Sequence, residues 1–437
     1  MTTTVVGRPP RIALTSLGCK VNFAEMAELA GALAAAGCDI VNEDESSDIR
    51  VVNSCTVTAQ ADATTRQRLH RLRRADPSSH IVLTGCSVDG NPDRYLPQRH
   101  EPGAQLPDGV DAVFANQDKN AIAGYVTSLL RPGYLATHGA RSAAPALRAR
   151  AFIKVQDGCN HRCTYCIVWR ARGESRSVPA REVAESVSSA IEEGHGEVVL
   201  CGVDLGSYGR DLGTTLAQLL DQLLALVPDT ARIRLSSVNA NDVTPQLIEM
   251  NAHPRLCSHW HMPLQSGSDR VLRRMHRGYR RAQYLRVVHE LRARDPLTEF
   301  TTDMMVGFPS ETEPDHRDTL ALVDEVGFLS GHVFRWSPRP DTPAEAYADR
   351  VDDAVARRRS VEVRRATART GDASRRCAVG RVHEVVWDGA AETPPRGLAS
   401  TYHELVVDAP PPRAGSLATV VATAVDGDHL RATLLAP

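Results

Sequence analysis

Apolar and polar segments alternate along the first part of the chain in a pattern that predicts strands and helices in turn. Strands are predicted for the apolar runs IALTSL, IRVVNSC, IVLTGC and VDAVFAN. One helical run extends from Phe23 to Ala36, and another continues through Arg74. Strands that alternate with helices are typical of a parallel α/β sheet. We therefore predict an N-terminal parallel α/β domain over residues 1–130.

A second α/β region follows a segment without periodicity. Residues 131–150 are rich in Pro, Gly, Ala and Arg, which is typical of a linker. Beyond it, strands are predicted for AFIKVQ, EVVLCGV, RIRLSSV, WHMPLQS, EFTTDMMVGF and HVFRWS, with helical stretches between most of them. Such repeated βα units predict a barrel or partial barrel over residues 151–372, with its chemistry at the carboxyl ends of the strands.

The last part of the chain changes from long helical patterns to short strands. An arginine-rich helix is predicted from Arg357 to Arg376. It is followed by apolar segments broken by Gly and Pro, namely AVGRVHEVVWDG, STYHELVVDA, GSLATVVATAVDG and HLRATLLAP. Short strands at this spacing predict a small β-barrel over residues 373–437. The expected fold class is thus α/β, with three domains.

Composition and charge narrow the function classes. Lys and Arg number 51 against 53 for Asp and Glu, a net charge of −2, which excludes a generally basic nucleic-acid-coating protein. No run approaches the roughly 18–20 uncharged apolar residues that a membrane span needs. The start, MTTTVVGRPPRIAL, lacks the apolar core of a secretory signal. We expect a soluble, cytoplasmic chain without a membrane partner.

The ten cysteines carry the strongest chemical signal, because reduced cytosolic cysteines more often mark metal or redox chemistry than disulfides. Cys159, Cys163 and Cys166 form a C-x3-C-x2-C loop after the first barrel strand. Three thiolates this close together can hold three irons of a 4Fe-4S cluster and leave the fourth open to a substrate. A structural zinc site and chance are the alternatives. Zinc would need a fourth ligand, which His161 is poorly placed to provide.

This loop resembles that of the radical S-adenosylmethionine superfamily, whose partial TIM barrel carries it after the first strand. The resemblance implies that Cys159, Cys163 and Cys166 bind the radical cluster. It also implies that the amino and carboxylate groups of S-adenosylmethionine chelate the open iron. Reductive cleavage of the sulfonium then yields a deoxyadenosyl radical that abstracts hydrogen from an unactivated carbon.

Cys19, Cys55 and Cys86 each follow the end of a predicted strand, so they are expected to converge on one edge of the N-terminal sheet. Taken alone, each is equally well a small buried hydrophobe. Together with the radical loop and the terminal barrel, they resemble the methylthiotransferase family from about Arg11 to the C-terminus. The resemblance implies that they hold a second 4Fe-4S cluster with an open iron, where sulfur or methylsulfide is carried.

The other cysteines match no ligand position of the family, and we assign them no role. They are Cys38, Cys201, Cys257 and Cys377.

Several barrel segments extend the resemblance towards the cofactor pocket. Gly202 follows a strand, where a small residue lets the backbone approach S-adenosylmethionine. His261, Gln265 and Ser266 are candidates to reach its ribose or carboxylate, and equally candidates for polar groups satisfied within the barrel. Asp303 is expected to be structural. We predict no catalytic residue beyond the cluster ligands.

The chain departs from the family pattern at a few positions outside the six predicted cluster cysteines. A usual proline, glutamate and two glycines are replaced, respectively, by Trp169, Asn239, Asp341 and Ala115. These changes leave room for a divergent member that acts on a peptide or small molecule.

The distribution of charge along the chain gives conflicting indications about nucleic-acid binding. Arginines cluster in residues 66–74, 270–294 and 357–376, which suits a phosphate backbone but is also compatible with solvated helix faces. From Cys377 onward, four arginines stand against seven acidic residues, a balance of −3. By resemblance this is a TRAM-type RNA-binding barrel, but its acidity weakens that inference.

Three segments, CTYCIVWRARGESRS, GVDLGSYGRDL and HVFRWSPRPDTPA, most resemble the threonylcarbamoyladenosine branch of the family. We therefore predict methylthio transfer to carbon 2 of N6-threonylcarbamoyladenosine next to the tRNA anticodon. The alternatives are the same chemistry on a prenylated tRNA adenosine, a ribosomal-protein aspartate or a biosynthetic intermediate, and a non-catalytic RNA-binding protein with structural metal. The expected partners are the tRNA anticodon stem-loop, an electron donor such as flavodoxin or ferredoxin, and a sulfur source.

Overall fold

The structure, a computed structural model, describes residues 8–96, 106–129, 149–388, 394–409 and 413–435. It divides into two compact units. The N-terminal unit contains the described residues up to 129 together with Cys166–Gly173, and the second unit contains the rest. The predicted linker lies almost entirely outside the described residues. Within the described ranges, every helix is too short or too polar to span a lipid bilayer.

The N-terminal unit is built on a five-stranded, fully parallel sheet, as predicted. Its strands are β1 Arg11–Ser16, β2 Asp39–Val41, β3 Ile49–Ser54, β4 His80–Gly85 and β5 Ala112–Phe114. Its helices are α1 Lys20–Ala35, α2 Ala59–Ala75, α3 Cys86–Gly90, α4 Pro92–Tyr95, α5 Ala121–Ser128 and α6 Val168–Arg172. The spatial order is β2-β1-β3-β4-β5, which makes β1, β3 and β4 neighbours. The short edge strand β2 was not predicted.

Both faces of this sheet are buried. Val51 and Val82 belong to the apolar cluster on the face covered by α1 and α5, whereas Val52 and Leu83 belong to the cluster on the opposite face. Successive side chains of a strand point to opposite faces, so a strand buried on both sides reads as a continuous apolar run. This is why β3 and β4 are conspicuous in the sequence.

The second unit begins with a partial barrel whose strands are parallel, except that the short strand Arg176–Ser177 pairs antiparallel with its neighbour. Its strands are β6 Arg150–Asp157, β7 Arg176–Ser177, β8 Glu197–Gly202, β9 Arg232–Leu235, β10 His259–His261, β11 Glu299–Val306 and β12 Ser330–Arg335. Its helices are α7 Ala180–Glu192, α8 Leu216–Leu226, α9 Pro245–Met250, α10 Asp269–Arg274, α11 Arg281–Arg294, α12 Glu313–Val326 and α13 Asp353–Ala378. Isolated parallel bridges link β9 and its following loop to the region around β10, which joins the two sheets.

One barrel strand is shorter than predicted. The run WHMPLQS was expected to be a strand, but β10 ends at His261. Pro263 has no backbone N–H to donate to a sheet, and Gln265 adopts a left-handed conformation with φ of 65°. The chain therefore leaves the sheet after three residues, although Gln265 still forms an isolated bridge with Met304.

The chain ends in a closed five-stranded β-barrel, in agreement with the predicted small barrel. Its strands are β13 Val382–Trp387, β14 Arg396–Ala399, β15 Glu404–Val407, β16 Leu417–Asp426 and β17 His429–Leu434. The strand β14 was not predicted. Trp387 is fully buried in its core with Leu405 and Val420. The helix α13 ends at Ala378, shortly before the first barrel strand, so it extends past the predicted domain boundary at residue 372.

Buried charges join the terminal barrel to the amino ends of the parallel strands. Arg232 and Arg234 donate to the backbone carbonyls of Leu398 (2.8 Å) and Ala399 (2.8 Å), and both contact Glu197. Burial pushes the pKa of the Glu197 carboxyl up, but the charges of Arg234 and Arg232 outweigh it and hold that pKa well below its ordinary value. The terminal barrel thus lies at the end of β8 and β9 opposite to their carboxyl ends.

Candidate functional site

Three cysteines gather at the carboxyl edge of the N-terminal sheet. Cys19 follows β1 and is the N-cap residue of α1, Cys55 follows β3, and Cys86 is the first residue of α3 after β4. Since β1, β3 and β4 are adjacent, parallel pairing brings the three turns together. A Cβ on Gly18, whose φ is 97°, would lie only 2.7 Å from Cys55 Sγ. This glycine lets the Cys19 turn approach Cys55.

The chemistry of these thiols suits a metal cluster. Burial, together with the neighbouring Cys86 and Cys19, raises the pKa of the Cys55 thiol to about 12. Such a thiol ionises only when a cation takes the place of its proton, which is how thiolate ligands bind iron. Cys86 Sγ accepts an N–H from Arg172 Nε at 3.2 Å. The donor set therefore fits a cluster held by three cysteines.

The second cysteine site is a single loop that follows β6. Each of its three sulfurs accepts an N–H group. Cys159 accepts from the backbone of His161 (3.5 Å), and Cys166 accepts from the backbone of Val168 (3.4 Å). Cys163 accepts from Arg277 Nη1 at 3.6 Å. Hydrogen bonds to sulfur stabilise thiolates and the clusters they hold. The donor set fits the predicted radical cluster.

The loop is fixed at its middle by α10. The backbone N–H of Thr164 donates to the carbonyl of Met275 (3.1 Å), and its hydroxyl donates to the carbonyl of Arg274 (3.0 Å). The last turn of α10 thus lies directly against the cysteine loop.

The imidazole of His161 is held by two carboxylates. Its Nε2 lies 3.2 Å from a carboxylate oxygen of Asp204 and 3.6 Å from one of Asp242. The hydrogen-bonded carboxylate of Asp204 and the nearby carboxylate of Asp242 raise the pKa of His161 to about 10. His161 ties the cysteine loop to the segments that follow β8 and β9.

Asn239 connects this ion pair to the cysteine loop by a second route. Its amide nitrogen donates to Asp204 Oδ1 (3.2 Å), and its oxygen accepts from Arg277 Nη2 (2.6 Å). Arg277 in turn donates to Cys163. An amide can donate to one partner and accept from the other, whereas the glutamate usual at this position has no donor when ionised.

The residues predicted to contact S-adenosylmethionine lie at the carboxyl ends of β8 and β10. A Cβ on Gly202 would lie 2.9 Å from the Cα of Leu205, so this glycine is also required by the packing of the protein itself. His261 is bound to Thr301 Oγ1 (2.9 Å), and Ser266 is fully buried. Gln265 carries the strained backbone described above. Their contact with the cofactor stays a prediction.

Asp303 pairs with His261 across neighbouring strands, with His261 Nε2 at 3.3 Å from Asp303 Oδ2. It therefore orients a candidate cofactor residue. Its expected structural role agrees with this contact.

Many arginines of the predicted basic segments are engaged by acidic partners. The ion pairs include Arg270–Asp315, Arg281–Glu325, Arg294–Glu249, Arg358–Glu313 and Arg369–Asp324. Their positive charge is largely compensated, so these helix faces offer less to a phosphate backbone than the sequence suggests. Arg273, at the end of α10 beside the cysteine loop, is exposed and has no acidic partner among the described residues.

Comparison with known proteins gives this architecture a family. Residues 153–323 match the Radical SAM superfamily, and residues 11–103 match a family described as uncharacterized protein family UPF0004. The threonylcarbamoyladenosine tRNA methylthiotransferase MtaB of Thermotoga maritima is 35% identical over 409 residues, which cover 91% of this chain and 90% of that protein. This chain belongs to the radical S-adenosylmethionine methylthiotransferase family. Its cofactors are accordingly two 4Fe-4S clusters and S-adenosylmethionine, as predicted.

Other members and a solved structure extend the comparison. The tRNA-2-methylthio-N(6)-dimethylallyladenosine synthase of Sorangium cellulosum is 33% identical over 408 residues, with 87% of this chain and 82% of that protein covered. The radical S-adenosylmethionine methyltransferase TsrM from Kitasatospora setae superposes with a TM-score of 0.55 at 14% identity, over 77% of each chain. At that identity, the likeness to TsrM concerns the fold.

Two departures of this methylthiotransferase from its family pattern have a visible local setting. Asp341 has a φ of 60°, the left-handed region that favours the glycine usual there. Trp169 is partly exposed on α6, and the guanidinium of Arg170 lies 5.9 Å from its ring centre. Ala115 is buried beside a short 3-10 turn, and nothing in the structure explains its replacement of glycine.

Sequence reasoning missed the charged and amide residues around the thiols. Arg172, Arg277 and Asp204 were not singled out, because arginine and aspartate are common at surfaces and only tertiary contacts reveal them. One signal was present: Arg172 lies six residues after Cys166 and directly before Gly173, on the cysteine loop's own continuation.

Proposed function

We propose that this methylthiotransferase adds a methylthio group to carbon 2 of N6-threonylcarbamoyladenosine beside the anticodon of tRNA. The observation that carries the proposal is the near full-length similarity to the Thermotoga maritima enzyme named for that nucleoside. Enzymes of the same name from Chlamydia pneumoniae and Bacillus subtilis are 33% and 34% identical.

In this proposal Cys159, Cys163 and Cys166 hold the radical cluster, and each receives an N–H group that favours its thiolate. Thr164 fixes the loop on α10, and His161 fixes it on Asp204. When bound, this cluster and S-adenosylmethionine supply the radical that opens a carbon–hydrogen bond, and a second S-adenosylmethionine supplies the methyl group.

Cys19, Cys55 and Cys86 hold the second cluster, at which the sulfur is carried. The burial of Cys55 and Cys86 and the convergence of all three cysteines at one sheet edge support this assignment. The contribution of the protein is geometric, since three strand-to-helix turns at one sheet edge present the ligands.

Gly202, His261, Gln265 and Ser266 surround the S-adenosylmethionine in this proposal, at the carboxyl ends of β8 and β10. Thr301 and Asp303 bind both nitrogens of the His261 ring, so the imidazole presents a fixed face to the cofactor.

The tRNA substrate needs positive charge near the radical loop. Arg273 supplies it, because α10 contacts the loop through Thr164 and this arginine is exposed without an acidic partner among the described residues. An Arg273→Glu variant is expected to bind the anticodon stem-loop about tenfold more weakly at low salt, with a smaller dependence on salt. Arg369→Glu, which changes an arginine already paired with Asp324, is the matched control.

Mass spectrometry of tRNA nucleosides from cells with and without this gene tests the substrate. Loss of the methylthio-threonylcarbamoyl nucleoside alone is the expected result, and its return on complementation with the wild-type gene, but not with a Cys55→Ala gene, ties the loss to the enzyme. An unchanged nucleoside profile overturns the tRNA substrate and directs attention to a protein or small molecule.

A second candidate substrate is the prenylated adenosine of tRNA. It is favoured by relatives such as the Sorangium cellulosum enzyme, whose identity of 33% is close to that of the threonylcarbamoyl group. Selective loss of the methylthio-dimethylallyl nucleoside in the same measurement would establish it. A flavodoxin or ferredoxin as electron donor, a sulfur source and a cytoplasmic location complete the proposal.

A further inference from the structure

Arg172 is a buried arginine next to the three-cysteine site of the N-terminal unit. It is the last residue of α6, and it is followed by the C-cap residue Gly173, whose φ is 72°. Its side chain is 1% exposed. A charge so far from water is costly unless hydrogen bonds and opposite charges compensate it, so its partners indicate its purpose.

All three nitrogens of the guanidinium group donate hydrogen bonds. Nε donates to Cys86 Sγ at 3.2 Å, Nη1 to Glu25 Oε1 at 2.8 Å, and Nη2 to Asn22 Oδ1 at 2.6 Å. The fork is rigid and planar, so the bonds to Glu25 and Asn22 fix the direction of the N–H that meets the sulfur.

Asn22 extends this network to the other two cysteine turns. Its amide nitrogen donates to the carbonyl of Leu17 (2.7 Å), two residues before Cys19, and to the carbonyl of Ser54 (3.0 Å), directly before Cys55. Through Asn22 and its own bond to Cys86, Arg172 connects the turns that carry all three thiols.

Glu25 keeps this positive charge in balance. It is buried, also forms an ion pair with Lys119, and accepts from Asn53 Nδ2 at 3.1 Å. The half-buried carboxyl of Asp89, three residues after Cys86, also interacts electrostatically with the arginine and the lysine. All of these charges lie in a poorly solvated place, where charges act strongly on each other.

We propose that Arg172 is a positioning residue for the second cluster, which holds the Cys86 sulfur in place and raises the reduction potential of the cluster. Hydrogen bonds and positive charge at a ligand sulfur stabilise the reduced form of an iron–sulfur cluster. The inference rests on the proposed assignment of that cluster to Cys19, Cys55 and Cys86, and it is independent of the substrate.

The test uses the full chain with the radical cluster removed, so that a single cluster remains to be measured. The background variant carries alanine at Cys159, Cys163 and Cys166. After anaerobic reconstitution, its iron content and its midpoint potential are measured by a redox titration followed by electron paramagnetic resonance. If this background holds no cluster, the assignment to the three N-terminal cysteines fails; if it holds one, the role of Arg172 is decided separately by the variants below.

The variants predict shifts of opposite sign. Arg172→Gln removes a positive charge and should lower the potential, whereas Glu25→Gln removes a negative charge and should raise it. Arg172→Lys keeps the charge but loses the directed Nε–H, so its shift should be smaller and its spectrum altered. Arg170→Gln, on the exposed side of the same helix, is the matched control and should leave potential and spectrum unchanged.

Potentials and spectra equal to those of the background in both Arg172→Gln and Glu25→Gln overturn the proposal. If Arg172→Gln does not fold, as judged by its thermal unfolding, Glu25→Gln and Arg172→Lys decide it, since both retain a cation at position 172. A raised midpoint potential in Glu25→Gln with an unshifted potential in Arg172→Lys supports an electrostatic role. An unchanged potential in both variants overturns the proposal.

Discussion

The two cysteine sites of this methylthiotransferase are built in opposite ways. The radical loop holds its three cysteines within eight consecutive residues, whereas almost seventy residues of chain separate Cys19 from Cys86. The loop depends on side chains brought to it from elsewhere, such as Arg277 and Asp204. The dispersed site depends on the order of strands β1, β3 and β4.

The two sites differ in what determines the positions of their ligands. A local motif carries its ligand spacing in the sequence, so the rest of the fold only has to orient it. A dispersed site has no spacing of its own, and the sheet must be formed before its thiols meet. We therefore expect the two sites to respond differently to loss of a ligand, loss of iron and loss of a supporting residue.

Replacing one ligand in each site should separate the two chemistries most strongly. Cys163→Ala is expected to abolish formation of 5′-deoxyadenosine from S-adenosylmethionine, because the open-iron cluster loses one of its three ligands. Cys55→Ala should retain cleavage but give no methylthiolated product. Both are measured by liquid chromatography and mass spectrometry of anaerobic reactions with tRNA. Wild-type cleavage by Cys163→Ala would remove the loop from its assigned role.

Removing the iron should loosen the two sites to different extents. A cluster at the dispersed site joins three turns that are far apart in sequence, so its loss frees a long stretch of chain, whereas the loop cluster closes a short one. Hydrogen exchange followed by mass spectrometry should show roughly tenfold faster exchange around residues 17–22, 54–58 and 85–90, or about 1.4 kcal/mol of local stability.

At the radical site, faster exchange should be confined to residues 159–166. A variant without the three N-terminal cysteines is the control, since chelation should then leave the exchange of those turns unchanged. Faster exchange across the whole partial barrel after iron loss would contradict the contrast between the sites.

The same contrast explains what was readable in the sequence. The parallel sheet, the partial barrel and the radical loop were predicted because strands buried on both faces form apolar runs and the loop is local. The convergence of Cys19, Cys55 and Cys86 was predicted from their positions after strands. The buried charged residues Arg172 and Glu25 were not predicted, because no local sequence pattern distinguishes a buried charged side chain from an exposed one. The short strands β2 and β14 were missed because three or four residues carry too little pattern.

Replacing a residue that supports a ligand should have a smaller effect than replacing the ligand itself, and the effect should be limited to one site. Asn239→Asp removes the N–H that donates to Asp204 and puts a second carboxylate beside it. The new carboxylate binds Arg277 more strongly, and this weakens the hydrogen bond from Arg277 to Cys163. We expect S-adenosylmethionine cleavage to fall about tenfold, at the low end for groups that orient metal ligands. The spectrum of the second cluster should not change. Asn42→Asp, at an exposed position, is the control.

The smallest effect is expected at a cysteine that belongs to neither site. Cys377 is exposed on α13, near the terminal barrel, and matches no ligand position. Cys377→Ser should leave the iron content of two clusters, the cleavage rate and the product yield at wild-type values, with a stability change within about 0.5 kcal/mol. Iron and sulfide analysis together with a thermal melt measure this. A loss of iron equal to one cluster would mean that the dispersed site recruits ligands beyond one sheet edge, and the comparison between the two sites would no longer hold.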